Sequence, residues 1–335
     1  MKILITGIGG HLGGRFATWL RMNKPDVEIV GIDNFSCGYP ENVPKDITVY
    51  KATLGTDHVN SWLFDNVDYV YHFAAYAAEG LSPFIRHFDT QNNLLSTIDV
   101  LNTCLNVGSV KRIIFTSSMS VYGNGKLPFD ESSRRAPIDA YGISKSACEQ
   151  HLETAYAQHR QGYCIIRPHN IYGPHQSGWQ VFRNVLAYWM ARAKQGLPIL
   201  VYGDGLQTRA FSYIDDMLEP LYEAAVNPDA GQQIINLGGR EHITILAAAN
   251  LVSEITGAKV EHVEARHEVK NAFCTVDKSI GLLGYRETVN LEEGLLRMWK
   301  WTGEAWDKYP QRRGTHKIAE IEVRKGLYSF WEPWV

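Results

Sequence analysis

The sequence predicts an α/β fold: a doubly wound parallel sheet with a smaller C-terminal α/β lobe. Three observations carry this. Short apolar runs alternate with longer helical patterns through the first half of the chain. Those runs are almost continuously apolar, as strands covered on both faces must be. The first of them leads straight into a glycine-rich turn in which Gly7, Gly10 and Gly13 are evenly spaced.

Taken in order, residues 3–6 predict a strand, 12–22 a helix and 27–33 a second strand. Further strands are expected at 47–52, 69–75, 112–118 and 163–169, with helices over 91–106 and 140–159 between them. After His169 the rhythm loosens. Residues 170–176 read as loop and 181–194 as helix. The stretch 211–214 with helix 215–226, and the run 234–237, are expected to return to the main sheet. The implied division is a first domain over 1–170, rejoined by 204–238, and a lobe built from 171–203 and 239–335.

Composition narrows the function classes. The chain has 335 residues, ample for a large core, and a formal net charge of −3 with no long basic stripe. Nucleic acid is therefore not the expected partner. Five scattered cysteines, Cys37, Cys104, Cys148, Cys164 and Cys274, lack metal-ligand spacing and predict reduced thiols in a cytoplasmic protein that holds no metal. No apolar run is long enough to cross a bilayer, and the chain begins directly with a strand, so neither a membrane nor a signal segment is expected.

Glycines between a buried strand and a helix let the backbone approach a pyrophosphate, and the helix start supplies free N–H groups. Asp33, in Val30-Gly31-Ile32-Asp33-Asn34, stands where an acidic residue ends the second strand and holds ribose hydroxyls. Its charge would repel a 2′-phosphate, which favours NAD over NADP. The alternative is an ordinary strand–helix turn. A second constellation bears on the choice: the strand ending Phe115-Thr116-Ser117-Ser118, then Tyr141-Gly142-Ile143-Ser144-Lys145. On a helix Tyr141 and Lys145 share a face, and an ammonium near a phenol favours the phenolate needed for a general base. A chance Tyr/Lys pair is the bland alternative.

Together these residues resemble the extended short-chain dehydrogenase/reductase family. The turn matches its T-G-x-x-G-x-x-G pattern, and Tyr141/Lys145 its Y-x-x-x-K pair. Arg167-Pro168-His169-Asn170-Ile171-Tyr172-Gly173-Pro174 is similar to its R-x-x-N-x-Y-G-P segment, and residues 203–216 to its nucleotide-sugar signature. The resemblance implies a Rossmann domain that holds NAD, with cofactor contacts from Gly7, Gly10, Gly13, Asp33, Asn34, Phe73, Ala74, Asn93, Lys145 and His169. It also implies a catalytic set of Ser118, Tyr141 and Lys145.

Met119 and Ser120 follow Ser118, where the family's dehydratases and decarboxylases carry carboxyl groups. The motif instead resembles that of the UDP-hexose 4-epimerases. The implied reaction is NAD-dependent 4-epimerisation of a UDP-glucose or UDP-galactose type substrate through a 4-keto sugar. Tyr141 takes the 4-hydroxyl proton, Ser118 bonds the same oxygen, and Lys145 holds the nicotinamide ribose. The resemblance places Arg209 and Arg266 on the diphosphate with Asn170 beside them, and Asn184 near the nucleotide. Phe273 matches a position that gates N-acetyl sugars, or is simple packing. Glu79, in an unusual segment Tyr76-Ala77-Ala78-Glu79, either accepts hydrogen bonds from sugar hydroxyls and disfavours a uronic acid, or caps a surface loop. Thr53 stands where an acidic residue is usual near the adenine. By analogy the helices 91–106 and 140–159 form a homodimer interface. The tail from Thr302, with Trp306, Phe330, Trp331 and Trp334, is assigned to packing. A 4-keto-sugar reductase and a non-catalytic NAD-binding regulator remain as competing readings.

Overall fold

A computed structural model describes residues 1–57, 61–179, 182, 184–313, 321–329 and 331. Its main sheet has six strands from the first half of the chain: β1 (Lys2–Thr6), β2 (Glu28–Asp33), β3 (Thr48–Lys51), β4 (Tyr69–His72), β5 (Arg112–Thr116) and β6 (Tyr163–Pro168). The strand Gln233–Leu237 completes it, and the order is Gln233–Leu237, β6, β5, β4, β1, β2, β3, all parallel. Along β1, Ile3 and Ile5 enter one core with Phe16, Leu20, Met217 and Leu221, while Leu4 enters the other with Val70, Val100 and Leu152. A strand buried on both faces needs apolar residues at every position, which is why these runs show no alternation.

Between β1 and β4 the strand order reverses. The loops leaving their C-terminal ends part there and open a crevice, the place where open α/β sheets bind ligands. The helix α1 (His11–Asn23) leads away from one lip, and the helix Ala140–His159 supports the other side.

Several expectations shift. Residues 211–214 do not rejoin the main sheet: among the described residues the strand Ser212–Tyr213 pairs only with Ile171–Tyr172, and it is the following helix, Leu218–Val226, that packs on the sheet. The strand Thr208–Ala210 pairs with His242–Thr244 and Asn271–Ala272, elements of the C-terminal half. Leu283 and Tyr285, by contrast, join the main-sheet core. The helix expected over 91–106 starts earlier, as Arg86–Asp89, widens to a π-helical stretch at Thr90–Leu95 and continues as Ser96–Val107. The helix expected from residue 181 is described as Val185–Lys194; Val181 itself lies outside the described residues.

A buried ion network joins three of these elements. The Glu149 carboxylate, fully buried on helix Ala140–His159, accepts from Arg167 of β6 (2.8 and 2.5 Å), from Ser117 just after β5 (2.5 Å) and from Arg135 (2.7 Å). The Arg167 guanidinium lies 4.6 Å from the Tyr122 ring. Removing one charge from a buried pair strands the other in low dielectric, at about 3–5 kcal/mol. We expect Glu149→Gln to lower the unfolding free energy by about that amount in urea titrations; an unchanged midpoint and slope would show that the network is dispensable.

Candidate active site

The turn after β1 forms the first wall of the crevice. Gly7 takes φ +70°, and a Cβ there would lie 2.7 Å from the Ala74 nitrogen. A Cβ on Gly13 would lie 2.3 Å from the Gly7 carbonyl oxygen. Only glycine lets strand, turn and helix close this tightly. The start of α1 carries no side-chain cap and no acidic residue in its first turn, so its free N–H groups meet the crevice unopposed. Asp33 ends β2, with Oδ2 accepting from Gly9 N (2.8 Å) and Oδ1 from Phe35 N (2.7 Å). Burial raises its pKa, and the two N–H donors counter that. Asn34 and Thr53 line the crevice beyond it, with Phe73 and Ala74 opposite.

The second wall carries the hydroxyls. Ser118 is extended at the end of β5, with its Oγ accepting from Ser120 N (3.1 Å). Asp139 caps the helix Ala140–His159 by accepting from Gly142 N (2.8 Å), which places Tyr141 in the first turn and Lys145 one turn on. Ser82 Oγ accepts from Tyr141 N (3.1 Å) and donates to the Glu79 carbonyl (2.8 Å), tying the segment after β4 to the phenol's backbone. Ser118 and Tyr141 both line this wall. Lys145 Nζ donates to the Thr116 carbonyl (2.7 Å) and lies 5.8 Å from the Tyr141 ring centroid.

Burial dominates the phenol's electrostatics. Burial pushes the Tyr141 pKa well up, and the Glu79 and Asp89 carboxyls add to it, while the Ser118 side chain opposes. Burial lowers the Lys145 pKa to about 8. Glu79 is open to water through the mouth of the crevice, yet protein surrounds its carboxyl; that desolvation, with Asp139 beside it, raises its pKa.

At the far end Arg209 and Arg266 meet on one carboxylate. Glu268 Oε2 accepts from Arg209 (2.8 Å) and Arg266 (3.4 Å). Arg266 stacks on Tyr202 at 4.1 Å, and its buried Nε has no partner among the described residues. Asn170, which donates to the Ala210 carbonyl (2.8 Å), and Asn184 share this wall.

Three expected site residues are not on the crevice wall. Asn93 spends its amide on Tyr76 N (2.8 Å), the Tyr76 carbonyl and Asp89 (2.8 Å), so it holds the Tyr76 loop and is buried beneath it. His169 is fully buried against Gly238; burial lowers it to about 4, and the ring is neutral. Phe273 stacks on His242 (4.0 Å, 5°), away from the crevice. Its neighbour Ala272, at the end of the strand Asn271–Ala272, faces the crevice instead, because successive strand side chains alternate. The argument from a bulky aromatic against an N-acetyl sugar therefore falls.

The profile of the NAD dependent epimerase/dehydratase family matches residues 3–238, most of the chain. The chain belongs to that family. Within it, an uncharacterized UDP-glucose epimerase, YtcB, of Bacillus subtilis strain 168 is 27% identical over 310 residues, 88% of this chain and 96% of that protein. Among solved structures, the UDP-glucose 4-epimerase of Thermotoga maritima with UDP-glucose superposes with a TM-score of 0.86 at 27% identity, covering 91% of this chain and 100% of that one. The UDP-glucuronic acid 4-epimerase of Bacillus cereus, with UDP-glucuronic acid and NAD, gives 0.83 at 26% identity, covering 91% and 99%. Other relatives are named dTDP-D-glucose 4,6-dehydratase and UDP-N-acetyl-alpha-D-glucosaminuronate decarboxylase.

An enzyme of this family uses NAD, and the first wall fits it. The glycine cradle admits a pyrophosphate where any Cβ would clash, and the uncapped start of α1 lies beside it. Asp33 keeps lone pairs for ribose hydroxyls beyond its two backbone donors. Sequence reasoning missed Asp139, Ser82, Glu268 and Ala272. Asp139 had a signal, an Asp directly before a helical run. The others are assembled by tertiary contacts alone.

Glu79 yields a testable pH effect. A negative charge near a phenol disfavours the phenolate, so Glu79→Gln should lower the Tyr141 pKa. The rising limb of kcat/KM against pH should move to lower pH. A limb that stays in place would show that the carboxyl does not act on the phenol.

Proposed function

We propose that this enzyme interconverts the 4-epimers of a UDP-hexose of the UDP-glucose/UDP-galactose type. The observation that carries this reading is Ser118 and Tyr141 lining one crevice, with Lys145 one turn beyond the tyrosine, and Met119 and Ser120 following the serine. Those two positions offer no carboxyl for elimination at the neighbouring carbon.

NAD, when bound, supplies the hydride acceptor and donor for C4 of the sugar. The chain's own residues handle the proton and the geometry. Tyr141 accepts the 4-hydroxyl proton and returns it, and Ser118 donates to the sugar oxygen, which fixes C4 at the phenol. Lys145, anchored on the Thr116 carbonyl, holds a positive charge on the floor of the site. Arg209 and Arg266 suit a diphosphate, which would compete with Glu268 for their N–H groups, and the unpartnered Arg266 Nε adds a donor. Binding energy concentrated at that end leaves the hexose free to turn and present its other face.

Two further points belong to this reading. A cytoplasmic homodimer is proposed, supported by Leu95 and Ile143, which expose 43% and 57% of their surface on the two helical segments assigned to the interface. The family relation extends to enzymes of other sugars, so the hexose itself is the point to test.

The decisive experiment incubates the purified protein, with no added NAD, with UDP-glucose and separately with UDP-galactose, followed by proton NMR. Both should converge on one mixture. Failure of either sugar to move, even with NAD supplied, would overturn the hexose assignment. Tyr141→Phe should cut kcat by about 100-fold or more while NAD released on denaturation stays at the wild-type level.

A further inference from the structure

The C-terminal segment, residues 321–329 with Trp331, does more than cover apolar surface. Glu322 caps the helix Arg86–Asp89, its carboxylate accepting from His87 N and Phe88 N at 2.8 Å each, and its own N–H donates to the Phe84 carbonyl (2.9 Å). Tyr328 accepts at its hydroxyl from His267 N (2.8 Å), the residue next to Arg266. Trp331 is 1% exposed, with its ring 4.8 Å from Phe182 and 5.0 Å from Tyr328. The Trp331 side chain acts on the phenol of Tyr202, opposing the rise in pKa that burial gives it, and Tyr202 is the ring on which Arg266 is stacked.

These contacts converge on one place. A Cβ on Gly80 would lie 3.2 Å from Arg266 Nη1 and 3.7 Å from the Trp331 ring, so loop, arginine and indole meet at a single point. Gly80, Phe182, Tyr202 and Arg266 all line the crevice, whereas Trp331 and Tyr328 stand behind them. A segment that only hid apolar surface would have no reason to grip the backbone of residue 267, the Tyr202 ring and the loop bearing Glu79 together.

We propose that Trp331 and Tyr328 are positioning residues for the nucleotide-sugar site: they hold Arg266 and the Glu79–Gly80 loop at the diphosphate end, and so set affinity for the substrate without touching the reacting atoms. This rests on the nucleotide-sugar reading above. It makes residues 321–329 and Trp331 a support behind the lining of the site, contributed by a segment remote from the glycine turn in sequence.

The test uses the full chain with its retained NAD. UDP is titrated by calorimetry into wild type, Tyr328→Phe, Trp331→Phe and Trp331→Ala, and KM and kcat are measured with UDP-glucose. Trp331→Ala should weaken UDP binding and raise KM by about tenfold, with kcat within about twofold and NAD content unchanged. Trp331→Phe should recover most of the loss. Tyr328→Phe, which removes one hydroxyl from the surface of a folded protein, should weaken UDP by a few-fold. Unchanged UDP affinity in both Trp331→Ala and Tyr328→Phe would overturn the proposal while leaving the nucleotide-sugar reading intact. Equal losses of kcat and NAD content in Tyr328→Phe would also overturn it, as general damage. A wild type that binds no UDP would take down both.

Discussion

The buried carboxylate of Glu149 is the constraint on which the rest of the site depends. Ser117, Arg135 and Arg167 reach it from three separate stretches of chain. Ser117 immediately precedes Ser118, and Glu149 sits one turn beyond Lys145 on the helix that carries Tyr141. The network thus fixes the end of β5 against that helix, and with it the serine against the phenol. A buried ion cluster is weak evidence for stability in itself, since hydrophobic residues of equal volume often serve as well. Its effect here is one of register. Helix Ala140–His159 cannot slide or rotate along the sheet without leaving a charge unpaired.

A second constraint meets the first across the crevice. The turn after β1 is compressed against Ala74 and α1 until no side chain fits at Gly7 or Gly13. Compression there opens the helix start toward the crevice, while Ser82 ties the segment after β4 to the backbone of Tyr141. The glycine wall and the hydroxyl wall are therefore joined through the loop between Phe73 and Ser82. That loop also carries Glu79, so its atypical sequence alters the electrostatics of the phenol while the fold around it is kept.

Legibility in the sequence followed the range of the interactions involved. The main strands and α1 were legible because burial on both faces of a sheet leaves unbroken apolar runs. Gly7, Gly13 and Asp33 were legible because a tight strand–turn–helix imposes its spacing locally. Tyr141 and Lys145 follow from one helical turn. Where contacts are remote, sequence reasoning failed. Asn93 has the right residue type, yet its amide is consumed by the Tyr76 backbone. Phe273 and Ala272 are adjacent, and only the pleat decides which faces the crevice. The strand expected at 211–214 lacks a partner in the main sheet because Ser212–Tyr213 pairs beside it with Ile171–Tyr172. The division of the chain suffers likewise, with Thr208–Ala210 pairing into the lobe and Tyr285 packing under the sheet.

The crevice that results is polarised along its length. Arg209 and Arg266 mark one end, compensated by Glu268, Tyr141 and Asp139 mark the other, and Glu79 lies between, acting on both. A substrate with a doubly charged linker and a neutral polyhydroxyl head would align with this field in one direction only. Reversed, it would set phosphate oxygens against carboxyls and leave both arginines with Glu268 alone. Under the proposed reaction this asymmetry also separates two requirements that conflict. The linker must be held hard for affinity, and the hexose must turn between its two faces. Charge pairing at the arginine end satisfies the first. The second needs an end that offers acceptors for hydroxyl groups and no rigid clamp, and carboxyls with raised pKa values beside the mouth of the crevice provide that.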